Sequence, residues 1–141
     1  MELDEIRQLI ATGESETVEF KEYVPGRWQE LKSKIAIAIC ALANTKGGVV
    51  VIGVNDGGQI LRAAGNPTLI AEQLKDLLHT GLSFPLVALV RKAEIDGKWL
   101  HWVEVSKYRG PEPVTCQKKI YLRRCRHSSH KVQRVLEPVR H

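Results

Sequence analysis

The 141-residue sequence lacks any window approaching the roughly 18 consecutive apolar residues that a membrane-spanning helix needs, which excludes that class of protein. Its first stretch, MELDEIRQLI, is charged and amphipathic and does not resemble a secretory signal, so a cytoplasmic setting with no membrane partner is expected. Cysteine is scarce and odd in number: Cys40, Cys116 and Cys125. Cys40 lies within an apolar helical run and reads as a buried thiol, so a disulfide framework is not expected. The phosphate-loop pattern G-x-x-x-x-G-K-(S/T) is also missing. Gly47 and Gly48 follow a helical pattern, which is the wrong helix end for binding phosphate. Neither an internal repeat nor a low-complexity linker interrupts the chain, and one domain over residues 1–141 is the expectation.

Charge is present but unevenly spread. Residues 1–106 hold 11 Lys and Arg against 14 Asp and Glu, a balance of −3, and residues 107–141 hold 10 against 2, a balance of +8. The basic excess therefore belongs to the last quarter, where it is interleaved with strand-like sequence and suits a polyanion-binding patch or a solvated face. The acid of the first portion is concentrated in GESETVEFKEY, with Glu14, Glu16, Glu19 and Glu22.

Hydrophobic periodicity divides the chain into elements. LDEIRQLIATG has Leu3, Ile6, Leu9 and Ile10 at helical spacing and Gly13 as a stop. TVEFKEY alternates, with Val18 and Phe20 on one face and Glu19 and Lys21 on the other, which predicts a strand whose acids face away from the core. WQELKSKIAIAICALANTK places Trp28, Leu31, Ile35, Ala38, Ile39 and Leu42 on one stripe of a main core helix. GVVVIGV, 48–54, reads as a central strand buried on both faces, and NDGG after it as a hairpin turn. A helix is expected from Pro67, carrying Leu69, Ile70, Leu74, Leu77 and Leu78. PLVALVRKAEI and KWLHWVEVSKY form two strands joined at DGK, and KKIYLRR is the last strand. The order α-β-α-β-β-α-β-β-β predicts an α+β fold with helices packed on a mixed sheet.

Three blocks, ESETVEFK, ALANTKGGVVVIGVNDGG and YLR followed by a Ser-Ser pair, occur in the order and with the spacing of the Schlafen AlbA-like domain, which the sequence resembles from Glu14 to about Ser129 with a domain core of about 14–130. The resemblance implies a Schlafen/AlbA-like α+β lobe and nucleic-acid binding, RNA more than DNA. It also implies metal-dependent cleavage of structured RNA such as tRNA, a phosphodiester hydrolase activity, by three carboxylates. Carried onto this sequence, those acids are Glu14, Glu19 and Asp56, holding Mg²⁺ or Mn²⁺. Divalent ions near a polyanion need several hard oxygen ligands. Larger Schlafen proteins join two such lobes, so a homodimer is expected here. The alternative is a non-catalytic DNA- or RNA-binding module of a transcriptional regulator.

The residues themselves support part of this. Glu19 and Lys21 share a strand face, so a carboxylate and an ammonium able to meet a phosphate stand side by side, as in the E-x-K element of many metal nucleases. Glu14 is five residues from Glu19, an odd offset, and must approach from the preceding loop. Glu16 and Glu22 read as solvated surface. Asn44 and Thr45 read as residues that hydrogen-bond the glycine turn. Lys118, Lys119, Arg123, Arg124, Arg126 and Lys131 form the candidate phosphate-tracking set. Some Schlafen lobes carry zinc, for which Cys116, Cys125, His127 and His130 are candidates, although C-x₈-C-x-H-x₂-H matches no established zinc pattern.

Overall fold

The computed structural model describes residues 1–61, 66–83, 88–126 and 129–138, with side chains as far as Arg123. The elements are α1 (Leu3–Thr12), β1 (Val18–Lys21), α2 (Trp28–Asn44), β2 (Gly48–Ile52), α3 (Pro67–Thr80), β3 (Ala88–Ile95), β4 (Lys98–Val105), β5 (Thr115–Cys116), β6 (Lys119–Arg126) and β7 (Ser129–Pro138). None of the described helices is long and apolar enough to cross a membrane.

The described residues form two sheets. The first is mixed, in the order β1-β2-β4-β3, with β1 parallel to β2 and the remaining pairs antiparallel. The second is antiparallel, in the order β5-β6-β7. The fold is thus α+β with a mixed sheet and packed helices, as the sequence predicts.

One face of the mixed sheet presents Phe20, Val49, Val51, Leu100 and Trp102 to Ile6 and Ile10 of α1. The opposite face presents Val50, Ile52, Val103 and Val105 to α2 and α3. β2 lies between β1 and β4, so its Val49, Val50, Val51 and Ile52 are buried on both faces, which explains their unbroken apolar, β-branched run.

α2 departs from a single apolar stripe. Its second half, Ile35 to Ala43, is buried almost all round, because the same core also takes in Val114, Cys116 and Tyr121 of the second sheet segment. A helix between two sheets has no solvent face, and the alanines of IAIAICALA keep it slim enough to fit. Asn44 completes this junction. Its Nδ2 donates to Val114 O at 2.8 Å and Tyr121 O at 3.1 Å, and its Oδ1 accepts from Val114 N at 2.8 Å. Asn44 and Thr45 therefore bind the second sheet, where hydrogen bonds to the glycine turn were expected.

Three other expectations change. After β2 the NDGG turn returns, among the described residues, as an isolated Val54–Ile60 bridge in place of a full second strand. β5 and β7 go beyond the single terminal strand expected at KKIYLRR. Gly48 does more than end a helix. Its φ is +145°, and a Cβ there would lie 2.1 Å from Thr17 O, so only glycine lets β2 start against the turn that precedes β1.

Candidate functional site

Glu14, Glu19, Lys21, Asp56 and Arg123 form one polar cluster at the edge of the mixed sheet. β1 is an edge strand, and Glu14 reaches it from the preceding turn: its Oε2 accepts from Phe20 N at 3.0 Å. That turn is closed by a Ser15–Val18 bridge. Asp56 is exposed in the turn after β2, a turn held by Gln59 N donating to Asn55 Oδ1 at 2.9 Å.

Glu19 does not face solvent as the alternation predicts. It is 7% exposed. Its parallel partner is Val50, so it lies on the sheet face that α2 covers, and β6 brings Arg123 to meet it there. The Arg123 side chain is fully buried. One of its terminal nitrogens donates to Glu19 Oε2, the other to Val18 O at 2.8 Å, and Nε donates to Ser15 O at 2.7 Å. Glu19 Oε1 pairs with Lys21 Nζ at 3.1 Å, so the pair expected from the E-x-K spacing is in contact.

This corrects the expectation that Arg123 tracks phosphate on a surface. β6 alternates, and Tyr121 is buried, so Arg123 two residues on shares its inward face. That period was readable in the sequence and is the signal that separates Arg123 from its basic neighbours.

Electrostatics tie the acids together. Burial pushes the Glu14 carboxyl above its ordinary value of 4.5, the Phe20 N–H pulls it down, the negative charge of Glu19 raises it again, Arg123 lowers it and Asp56 raises it. Glu14 therefore senses both other acids. Even so, no three His, Cys, Asp or Glu side chains among the described residues gather closely enough to hold a metal ion. Carboxylates are the right donors for Mg²⁺ or Mn²⁺. In this arrangement, however, Glu19 has both oxygens on cations, and the three acids do not fit a shared ion.

A groove of about 360 Å³ opens beside the cluster, lined by Phe20, Lys21, Val24, Arg27, Lys34 and Asp56 among others. Glu22 is exposed, and Glu16 pairs with Lys46 at 2.5 Å.

The other basic candidates separate along β6. Lys118 is exposed in the tight turn before it, where Gln117 and Lys118 have φ of 54° and 63°. Lys119 is half-buried at its start. Arg124 pairs with Lys131 and Arg126 with Ser129 in backbone register, on the alternate positions from Tyr121 and Arg123.

Among the described zinc candidates, Cys116 stands apart from Cys125. Cys116 is buried and pairs with Lys119, whereas Cys125 lies six residues farther along β6, about 20 Å away at the strand rise. Burial also raises the Cys116 thiol pKa, which disfavours the thiolate that zinc needs. Cys125 and His130 are register partners, and His127 lies outside the described residues.

A search of the curated proteins finds no match. Among solved structures, the chain is similar to the DIP2311 protein from Corynebacterium diphtheriae, with TM-score 0.62 and 19% identity over 94% of this chain and 26% of that one. It is also similar to the N-terminal domain of a "Putative ATP-dependent DNA Helicase RecG-related Protein" from Nitrosomonas europaea, with TM-score 0.54 and 22% identity over 74% of this chain and 70% of that one. At these identities the likeness is one of fold, and the chain spans about a quarter of the Corynebacterium protein's length. The family model described as Schlafen, AlbA_2 matches residues 14–132, and the chain belongs to that family.

Proposed function

We propose that the chain is a nucleic-acid-binding domain that grips the phosphate backbone of RNA, in preference to DNA, with its second sheet. The observation that carries this is the β6–β7 register, which sets Arg124 across from Lys131 with Arg126 two residues along, inside the segment of charge +8. Phosphate contacts of this kind position a chain without reading its sequence. The family and the helicase-related description of one fold neighbour agree with such a role. A homodimer of this lobe in the cytoplasm would double the basic surface.

Metal-dependent cleavage of structured RNA such as tRNA is the second reading, favoured by Glu14 sensing both Glu19 and Asp56 and by Lys21 beside Glu19. It needs Mg²⁺ or Mn²⁺ among acids that do not form a shared site as they stand, so no catalytic step is derived. The test is a total transfer RNA pool incubated with the purified protein, with Mn²⁺ or with chelator. Retention of the RNA without cutting supports the binding domain. Mn²⁺-dependent fragments that vanish in Asp56→Asn establish the nuclease, and no association at low salt overturns both.

A further inference from the structure

The mixed sheet has two edges, β1 and β3, and they are finished differently. At β1, Thr17 O and Lys21 O accept from Val49 N and Gly53 N of β2 and the turn after it, so Val18 and Phe20 direct their backbone groups outward. The chain itself takes those groups up. Phe20 N donates to Glu14 Oε2 at 3.0 Å, Val18 N donates to Ser15 O at 3.4 Å, and Val18 O accepts from Ser15 N at 3.1 Å and from Arg123 at 2.8 Å. These contacts close β1 to a further strand.

β3 has no such seal among the described residues. Its hairpin to β4 turns on Asp96 and Gly97, with φ of 50° and 77°, so Ile95 and Lys98 exchange backbone bonds, and every second position of β3 back from Ile95 does the same with β4. Val90, Lys92 and Glu94 are left with N–H and C=O directed away from the sheet, and no described residue bonds them.

Charge on an open edge normally repels a neighbouring strand. Here the outward row carries both signs. Lys92 and Glu94 are exposed, and their side chains share a sheet face with Val90, which packs on the core of α2 and α3. The Lys92 ammonium lies 5.8 Å from the centre of the Trp99 ring. Among the described residues neither Lys92 nor Glu94 forms an ion pair. If β3 is laid antiparallel to itself about a two-fold axis, centring on Arg91, Lys92 or Glu94 sets like charges opposite each other. Centring on Ala93 sets Lys92 against Glu94 of the second copy, twice over, and only the small Ala93 against itself.

We infer that β3 is a dimerisation edge, pairing with β3 of a second copy over residues 90–96 about Ala93, so that two four-stranded sheets become one. Charge selects the partner: the edge is its own complement in this register, as a two-fold interface requires. The inference gives a surface to the homodimer named above and rests on that part of the reading. The strand order becomes β1-β2-β4-β3-β3-β4-β2-β1, which sets the two β1 edges roughly 34 Å apart across the intervening strands. Each β1 keeps its own Glu14, Glu19 and Arg123, so the two acid clusters lie at opposite ends of the sheet and meet separate parts of a ligand.

The experiment is sedimentation velocity over a concentration series on the wild type, Glu94→Lys and Lys92→Glu. Both positions are exposed and outside the core. The wild type should pass from monomer to dimer as concentration rises. Each single variant sets like charge against like at both pairs and should raise the dimer dissociation constant roughly tenfold or more. Mixed in equal amounts, the two variants should dimerise again, because each presents the charges that the other lacks. The chain carrying both substitutions should dimerise alone. If Lys92→Glu unfolds on losing its contact with Trp99, Glu94→Lys and the milder Glu94→Gln decide, the first weakening the dimer more than the second. An unchanged constant in Glu94→Lys, equal constants in the two Glu94 variants, or single variants that stay monomeric when mixed overturns the inference and leaves the homodimer to another surface. A wild type that stays monomeric at its highest soluble concentration overturns both the edge and the homodimer, and the RNA-binding reading stands apart from either.

Discussion

Glu19 and Arg123 meet between two sheets with almost no exposure, and burial changes what a charge-removing substitution does there. Glu19→Gln leaves a buried guanidinium without its counter-charge, a loss typically of about 3–5 kcal/mol, so the urea midpoint should fall well below that of the wild type. Asp56 is exposed and repels Glu14, so Asp56→Asn should hold or slightly raise the midpoint. Equal behaviour of the two variants would contradict the asymmetry of the site. Glu14 gives a pH test. Its folded pKa is raised, so the folded state holds that proton more tightly than the unfolded chain. Its contribution is most favourable at low pH and is lost as pH rises from the ordinary 4.5 through the folded value. Glu14→Gln can still accept from Phe20 N, and it should melt higher than wild type at pH 7, with the gain shrinking as pH falls through the folded value and largely gone below 4.5. A gain that is independent of pH would exclude this origin.

At the scale of elements, α2 explains why a helix with so many small residues is the centre of the fold. Ala36, Ala38, Ala41 and Ala43 are buried at 3% exposure or less, with the mixed sheet on one side and Val114, Cys116 and Tyr121 on the other. Ala41→Leu, harmless on an ordinary helix surface, should here destabilise by about 1–3 kcal/mol through overpacking, measured by chemical unfolding. Asn44→Ala should cost at least a comparable amount. It abandons two carbonyls and the Val114 N–H at a residue whose neighbour Val114 is fully buried, and each stranded group costs about 1–3 kcal/mol. A loss below that range would mean that water replaces the side chain.

For the whole molecule, the separation of charge matters more than its total. Acid surrounds β1, and the excess base lies in the segment that builds β5, β6 and β7. RNA affinity should therefore fall steeply with salt, and Arg124→Glu with Arg126→Glu should weaken all sequences alike, by nitrocellulose binding or anisotropy. Salt-insensitive binding would reject the ribbon as the contact surface. The proposed homodimer predicts a light-scattering mass near twice 15.8 kDa at high protein concentration, and a mass that stays at one chain would count against it.

The sequence by itself determined the helices at Leu3–Thr12, Trp28–Asn44 and Pro67–Thr80, the buried β2, the hairpin between β3 and β4, and the family, because periodicity, caps and turn residues act over a few neighbours. It also placed Glu14 in the loop before β1 and Lys21 beside Glu19. It did not determine β5 and β7, whose short or polar sequences carry little pattern of their own and become strands by pairing with β6. Nor did it decide which side of α2 would be covered, or that Glu19 would be buried. Alternation says only that Glu19 and Phe20 face opposite ways. Whether the face opposite Phe20 meets water or a second sheet depends on where a segment about 100 residues away folds back. That contact, Arg123 on Glu19 across a sequence separation of 104, is non-local, and only the tertiary structure could decide it.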